Sequence, residues 1–197
     1  FRLSGGIISD NTAANGGGVY GSNISLPISG SVEIKNNKAK YGGGVYVNSG
    51  TVNMSGGEIT GNRAYRVFSV SEGGANASGG GVYVNDGTFT MSNTASITDN
   101  SVGDNGTGGG VYVGDASFTM NGGEISRNTT DVNNGSAGGV CLNGGSFIMR
   151  SGSITGNSAG NGAGGVDAAA GNFTMTGGSI TGNSASYGEG GGIYARI

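Results

Sequence analysis

Four sets of residues in this sequence have types and spacings that could do chemistry. Gly156-Asn157-Ser158-Ala159-Gly160 matches the Gly-x-Ser-x-Gly pattern of a serine nucleophile. Such a serine needs a base, and the 197 residues contain no His, so a Ser-His-Asp triad cannot be built. Glu33, Glu58 and Glu124 recur at matching positions and could form a carboxylate group, although Ser96 takes that position between Glu58 and Glu124. Asp104 and Asn105 could lie beside Asp131, Asn133 and Asn134 as oxygen ligands for Ca²⁺, but no recognisable calcium loop surrounds them. Tyr46, Tyr83 and Tyr112, flanked by Tyr20 and Tyr194, are aromatics at a fixed repeat position that could dock a sugar ring or a protein. Without His and with one Cys, Cys141, the chain lacks the commonest metal ligand and any internal disulfide. The expectation is no catalytic residue, no metal and no cofactor.

These residues are held by a repeat. Gly108-Gly109-Gly110-Val111-Tyr112-Val113, then Phe118-Thr119-Met120, then Glu124-Ile125-Ser126-Arg127-Asn128, is one unit, and most of the chain is copies of it. Val111 recurs as Val19, Val45, Val82, Val140, Val166 and Ile193. Asn128 recurs as Asn11, Asn37, Asn62, Asn100, Asn157 and Asn183. From Val to the Asn of its own copy is 17 or 18 residues, and from that Asn to the next Val is 8 to 20. A fixed segment joined by variable ones is the mark of a solenoid whose insertions emerge at one corner. Residues 1–197 therefore read as one continuous array, with 63–78 as its longest loop insertion. The sequence opens at Phe1-Arg2-Leu3-Ser4 and closes at Gly190-Gly191-Gly192-Ile193-Tyr194, both in mid-repeat. The expectation is a fragment of a longer array, or one protein of an end-to-end assembly.

Each copy holds three short runs: Val111-Tyr112-Val113, Phe118-Thr119-Met120 and Glu124-Ile125-Ser126. Alternation over a few residues, bounded by Gly, Asn and Asp, predicts half-buried strands separated by turns. Comparing the copies assigns the sides. The Val position changes only to Ile, whereas the adjacent Tyr becomes Cys141 and Asp167. Ile is kept in every copy, with polar neighbours on nearly all. Val, Phe, Met and Ile therefore point inward, and Tyr, Thr and Glu outward. The fold predicted is all-β: a single-stranded, right-handed parallel β-helix (β-solenoid) of about 6–7 coils, three short strands per coil, with strands ~4.8 Å apart.

The Asn column has two readings. Asn tolerates positive φ at a turn, but so do Gly and Asp, and the copies keep only Asn. An amide both donates and accepts, so stacked amides can bond one another along the axis. We expect an inward ladder, with an exposed turn as the alternative. The paired glycines read as corners where a Cβ would crowd the next coil. No Gly-Lys-Ser/Thr follows them, so phosphate cradling is not expected.

Composition removes other classes. Gly is 47 of 197 without the Gly-X-Y period of collagen, and Pro27 is the single proline. Net charge is −3 with only 11% charged residues and no basic stripe, so nucleic-acid binding is not expected. No apolar run is long enough to span a membrane as a helix, so membrane insertion of this segment is not expected.

The motifs Gly79-Gly80-Gly81-Val82, Gly164-Gly165-Val166, Ile154-Thr155-Gly156-Asn157 and Ile180-Thr181-Gly182-Asn183 give the chain a resemblance. It is similar to the polymorphic outer-membrane protein repeats of chlamydiae, and more broadly to Gly-rich adhesin-like β-helix repeats. It departs from the chlamydial pattern in having Ile for Phe before x-x-Asn, and usually Gly for Ala in the first motif. The resemblance implies an extracellular or cell-surface, autotransporter-like location and a role in adhesion, with a host or neighbouring-cell surface protein or glycan as partner. It supplies no catalytic residues.

The expected function is a non-enzymatic rigid scaffold or binding surface. One alternative is a structural subunit that assembles head to tail into a filament. The other is a polysaccharide-binding or polysaccharide-cleaving β-helix. Two surfaces are candidates for binding: the column Tyr46, Tyr83, Tyr112, and the insertion residues Arg63, Tyr65, Arg66 and Phe68. Each has a plainer reading. The tyrosines could simply cover Gly-rich backbone, and the insertion could fold down over the solenoid flank.

Overall fold

A computed structural model describes residues 1–65, 76–103, 105–131 and 133–196. Among them there are strands and no helix. Every strand pair is parallel, and the chain winds as a β-solenoid of about 6 turns. Equivalent positions of successive copies pair directly: Val82 with Val111, Tyr83 with Tyr112, Phe89 with Phe118 and Met91 with Met120. Ile97 pairs with both Ile59 and Ile125, so the sequence repeat is the structural repeat.

The interior is what the alternation requires. Val111, Val113, Met120 and Ile125 have no exposed surface, and Phe118 has 1%. Phe89, Phe118 and Phe147 stack with centroids 4.9 and 4.4 Å apart. Such pairs contribute ~0.5–1.5 kcal/mol each beyond the area they bury. Towards the start, Leu26 and Val52 take the Phe position, filling the same space without a ring.

Two features were not visible in the runs alone. Strands Val111–Ser126 and Val140–Thr155 continue round both corners, so three predicted strands form one bent ladder. A fourth strand of two residues follows each Asn from Asn37 onward, as in Arg63–Ala64, Ser101–Val102 and Thr129–Thr130. These short strands form a separate six-stranded sheet. Its inward position is Ala39, Ala64, Val102, Thr130 and Ala159, small residues that leave room for the asparagines.

The difference between 17 and 18 residues also has a place. The two longer copies carry an extra residue at the Met-to-Ile corner, and there Val32 and Ala95 turn inward, each 1% exposed. Shorter copies put Gly57, Gly123 and Gly152 at positive φ instead. The strand runs unbroken through this corner only in the two shorter copies at Val111–Ser126 and Val140–Thr155; Val82–Met91 stops before Ser96–Thr98, and Val166–Met175 before Ser179–Thr181.

Candidate functional site

The most connected polar structure is internal. Asn37, Asn62, Asn100, Asn128 and Asn157 are fully buried, with Asn11 and Asn183 at the two ends. Asn62 Nδ2 donates to Ile34 O of the preceding coil at 2.8 Å and to Asn100 Oδ1 of the next at 3.0 Å. Asn62 N also donates to Asn100 Oδ1, at 3.0 Å. Asn100 repeats this towards Ile59 and Asn128, and Asn128 towards Ile97 and Asn157. Each inner amide has both N–H bonds used and its oxygen doubly accepted, so no buried polar atom of the column is left over. The amides all point the same way, which lets each bond polarise the next.

The glycines seat this ladder. A Cβ on Gly110 would lie 2.9 Å from Asn128 Nδ2, and one on Gly81 would lie 2.9 Å from Asn100 Nδ2. A Cβ on Gly109 would lie 2.5 Å from Gly138 O in the next coil. The Gly-Gly-Gly-Val motif and the Ile-x-x-Asn motif of one copy therefore meet across the interior. Ala137 breaks the pattern at the first glycine position, with φ of 60°.

The outer column is stacked rather than open. Tyr20–Tyr46, Tyr46–Tyr83 and Tyr83–Tyr112 lie at 5.4, 5.0 and 4.5 Å with nearly parallel rings. Tyr41, from the segment before the glycines, tilts onto Tyr83 at 5.4 Å. The ring faces a sugar would use are thus occupied by neighbouring rings. Burial pushes the Tyr83 and Tyr112 phenols upward, aided by charge repulsion from neighbouring ionisable groups, and Tyr112 Oη accepts from Asn143 Nδ2 at 2.7 Å. Beyond Tyr112 the column becomes Cys141 and Asp167, both buried, and then Tyr194. Burial, with Asp167 beside it, pushes the Cys141 thiol from 9.0 to about 12, while Thr107 pulls slightly the other way. Asp167 accepts from Ser136 Oγ at 2.6 Å and from Ala169 N at 3.0 Å.

No family model matches this chain, and no curated protein or solved structure matches it either.

The remaining sequence candidates separate. Ser158 lies in the two-residue strand Ser158–Ala159, where Ser184 Oγ donates to it at 3.2 Å, and Asn157 is in the ladder. Gly-x-Ser-x-Gly is here a stretch of solenoid, with no strand-to-helix turn. The carboxylate column has the register expected: Glu33 pairs with Glu58, and Ser96 lies between Glu58 and Glu124. Glu33 is held by Lys35 at 2.6 Å, and Glu58 Oε1 accepts from Thr98 Oγ1 at 3.0 Å. Asp131 accepts from Asn133 N in its own loop at 2.9 Å, and Asp104 lies outside the described residues. Among the described residues no three acids gather as a metal group.

Arg63 belongs to the fourth strand, so the long insertion starts after Ala64. Arg63 lies over the Tyr65 ring at 5.5 Å. Arg66 and Phe68 fall outside the described residues. Sequence reasoning missed Lys38, which pairs with Arg63, and Lys40, which lies over Tyr41 at 5.1 Å. The available signal was charge density: five of the nine Lys and Arg fall between positions 35 and 66.

Proposed function

We propose that this chain is a non-enzymatic, adhesin-like β-solenoid displayed outside the cell, serving as a rigid scaffold that presents a binding surface. The observation that carries the reading is the unbroken amide ladder from Asn11 to Asn183. It ties each coil to the next through the interior and leaves the outward positions free to vary, as a presenting scaffold requires. The resemblance to Gly-rich surface repeats supports the location. The test is immunolabelling of intact cells with antibody to this chain, with binding of the purified chain to cell surfaces. Labelling only after permeabilisation contradicts the reading.

A second reading, head-to-tail assembly, draws on the parallel stacking of the coils, in which each coil adds in register to the open edge of the one before. Unpaired parallel edges with apolar side chains favour addition of another strand. Light scattering against concentration separates the readings: a constant monomer mass removes assembly, and filaments one solenoid wide support it.

A further inference from the structure

The outer face of the six-stranded sheet carries one column of side chains: Lys38, Arg63, Ser101, Thr129, Ser158 and Ser184. Four of the six are hydroxyls, so the fold at this position asks only for a small polar residue. Lys38 and Arg63 are paired in register, exposed and of like charge, with the Arg63 guanidinium over the Tyr65 ring. Among the described residues no carboxylate is within ion-pair distance of Lys38, Lys40 or Arg63; the two ion pairs there are Lys35–Glu33 and Arg127–Asp99. The chain as a whole is acidic, at −3. Three cations on one flank of an acidic chain, with no ion-pair partner among the described residues, suit an anionic ligand.

We propose that Lys38, Arg63 and Lys40 bind an anionic polysaccharide, whose chain runs along the solenoid axis over the hydroxyl column. This rests on the binding-surface reading above and names the ligand class. Successive coils are ~4.8 Å apart, so acidic groups on neighbouring sugar rings meet Lys38 and Arg63 in turn. Ser101 and Thr129 continue the strip with groups that donate to and accept from sugar hydroxyls. Tyr65 and Tyr41, each beside a cation, border the strip and offer apolar edges to a pyranose ring. A nucleic-acid duplex fits less well. The cations span two coils rather than a long stripe.

The test uses dextran sulfate and neutral dextran of equal length, with duplex DNA and phosphatidylglycerol vesicles as competing anions. The variant is Lys38→Ser/Arg63→Ser, which installs residue types the column already carries. Arg150→Ser is the control cation elsewhere. The expected result is binding of dextran sulfate but not dextran, weakened about tenfold or more by the double variant and unchanged in the control. Unchanged binding in a double variant with the parent melting temperature overturns the proposal. So does equal binding of neutral dextran, or tighter binding of DNA or vesicles than of dextran sulfate. Cell-surface binding that survives in the double variant removes this patch while leaving the scaffold reading in place. Loss of all cell binding by the parent chain removes the reading on which it rests.

Discussion

The asparagine column and the tyrosine column run along the same axis at the same spacing, one inside and one outside. Inside, every copy keeps Asn, and each amide is fixed by bonds to the coil before and the coil after. Outside, Tyr gives way to Cys141 and Asp167; the strands that carry them continue, with a register shift just after that pair. The difference follows from what each loses on substitution. A missing inner amide leaves its neighbours with buried donors and acceptors that water cannot reach. A missing outer ring leaves no buried hydrogen-bonded neighbour unsatisfied, and smaller side chains such as Cys141 and Asp167 take its place.

Substitutions sharpen this contrast, beginning with the largest effect. Asn128→Asp places a carboxylate where Asn128 Nδ2 now donates to Ile97 O and Asn157 Oδ1. It should cost several kcal/mol at neutral pH, because a buried charge facing two oxygens has no compensation. Burial raises the carboxyl's folded pKa, so the loss should shrink as pH falls and the acid becomes neutral. Thermal melts from pH 4 to 8 check the direction. Asn128→Ala should cost ~1–3 kcal/mol by denaturant titration, and a loss below ~0.5 kcal/mol would mean the amides carry little. Tyr83→Ala should cost less, ~1–2 kcal/mol, as one stacked pair on each side is lost from a half-exposed site. Thr130→Val should raise stability by ~1 kcal/mol. Thr130 Oγ1 is buried without a partner among the described residues, in a column where the other copies carry Ala or Val.

The outer column also sets an alkaline limit. Burial holds the Cys141 thiol at about 12 against 9.0 ordinarily, and the Tyr83 and Tyr112 phenols are raised too. These groups keep their protons longer when folded, so the unfolded chain binds fewer above pH ~9. Stability should be level below that pH and fall as it rises towards 12. Cys141→Ala with Tyr83→Phe should flatten the fall in pH-dependent melts, and an unaltered slope would place its origin elsewhere.

Much of this was legible in the chain. Val, Ile and Asn recur at fixed spacings because each packs on its own copy in the next coil, so a structural column prints itself as a sequence column. The fourth strand left no such trace: Ser101–Val102 is too short to show alternation, and its Ala position tolerates Val102 and Thr130. The contact of Gly110 with Asn128 was hidden because an absent side chain carries no pattern of its own. The lid that Tyr41 forms on Tyr83 comes from a connecting segment whose length differs between copies. The cationic pair Lys38–Arg63 became visible only once the register placed two distant residues side by side.

The central claim is that the inner amides are bonded into a continuous ladder. Hydrogen exchange of the asparagine side-chain amides, followed by NMR, addresses it directly. Asn62, Asn100 and Asn128 should exchange as slowly as the backbone amides of the central strands, while the exposed Asn23 and Asn53 exchange at rates near those of free side chains. Equal, fast exchange at all five would contradict the ladder.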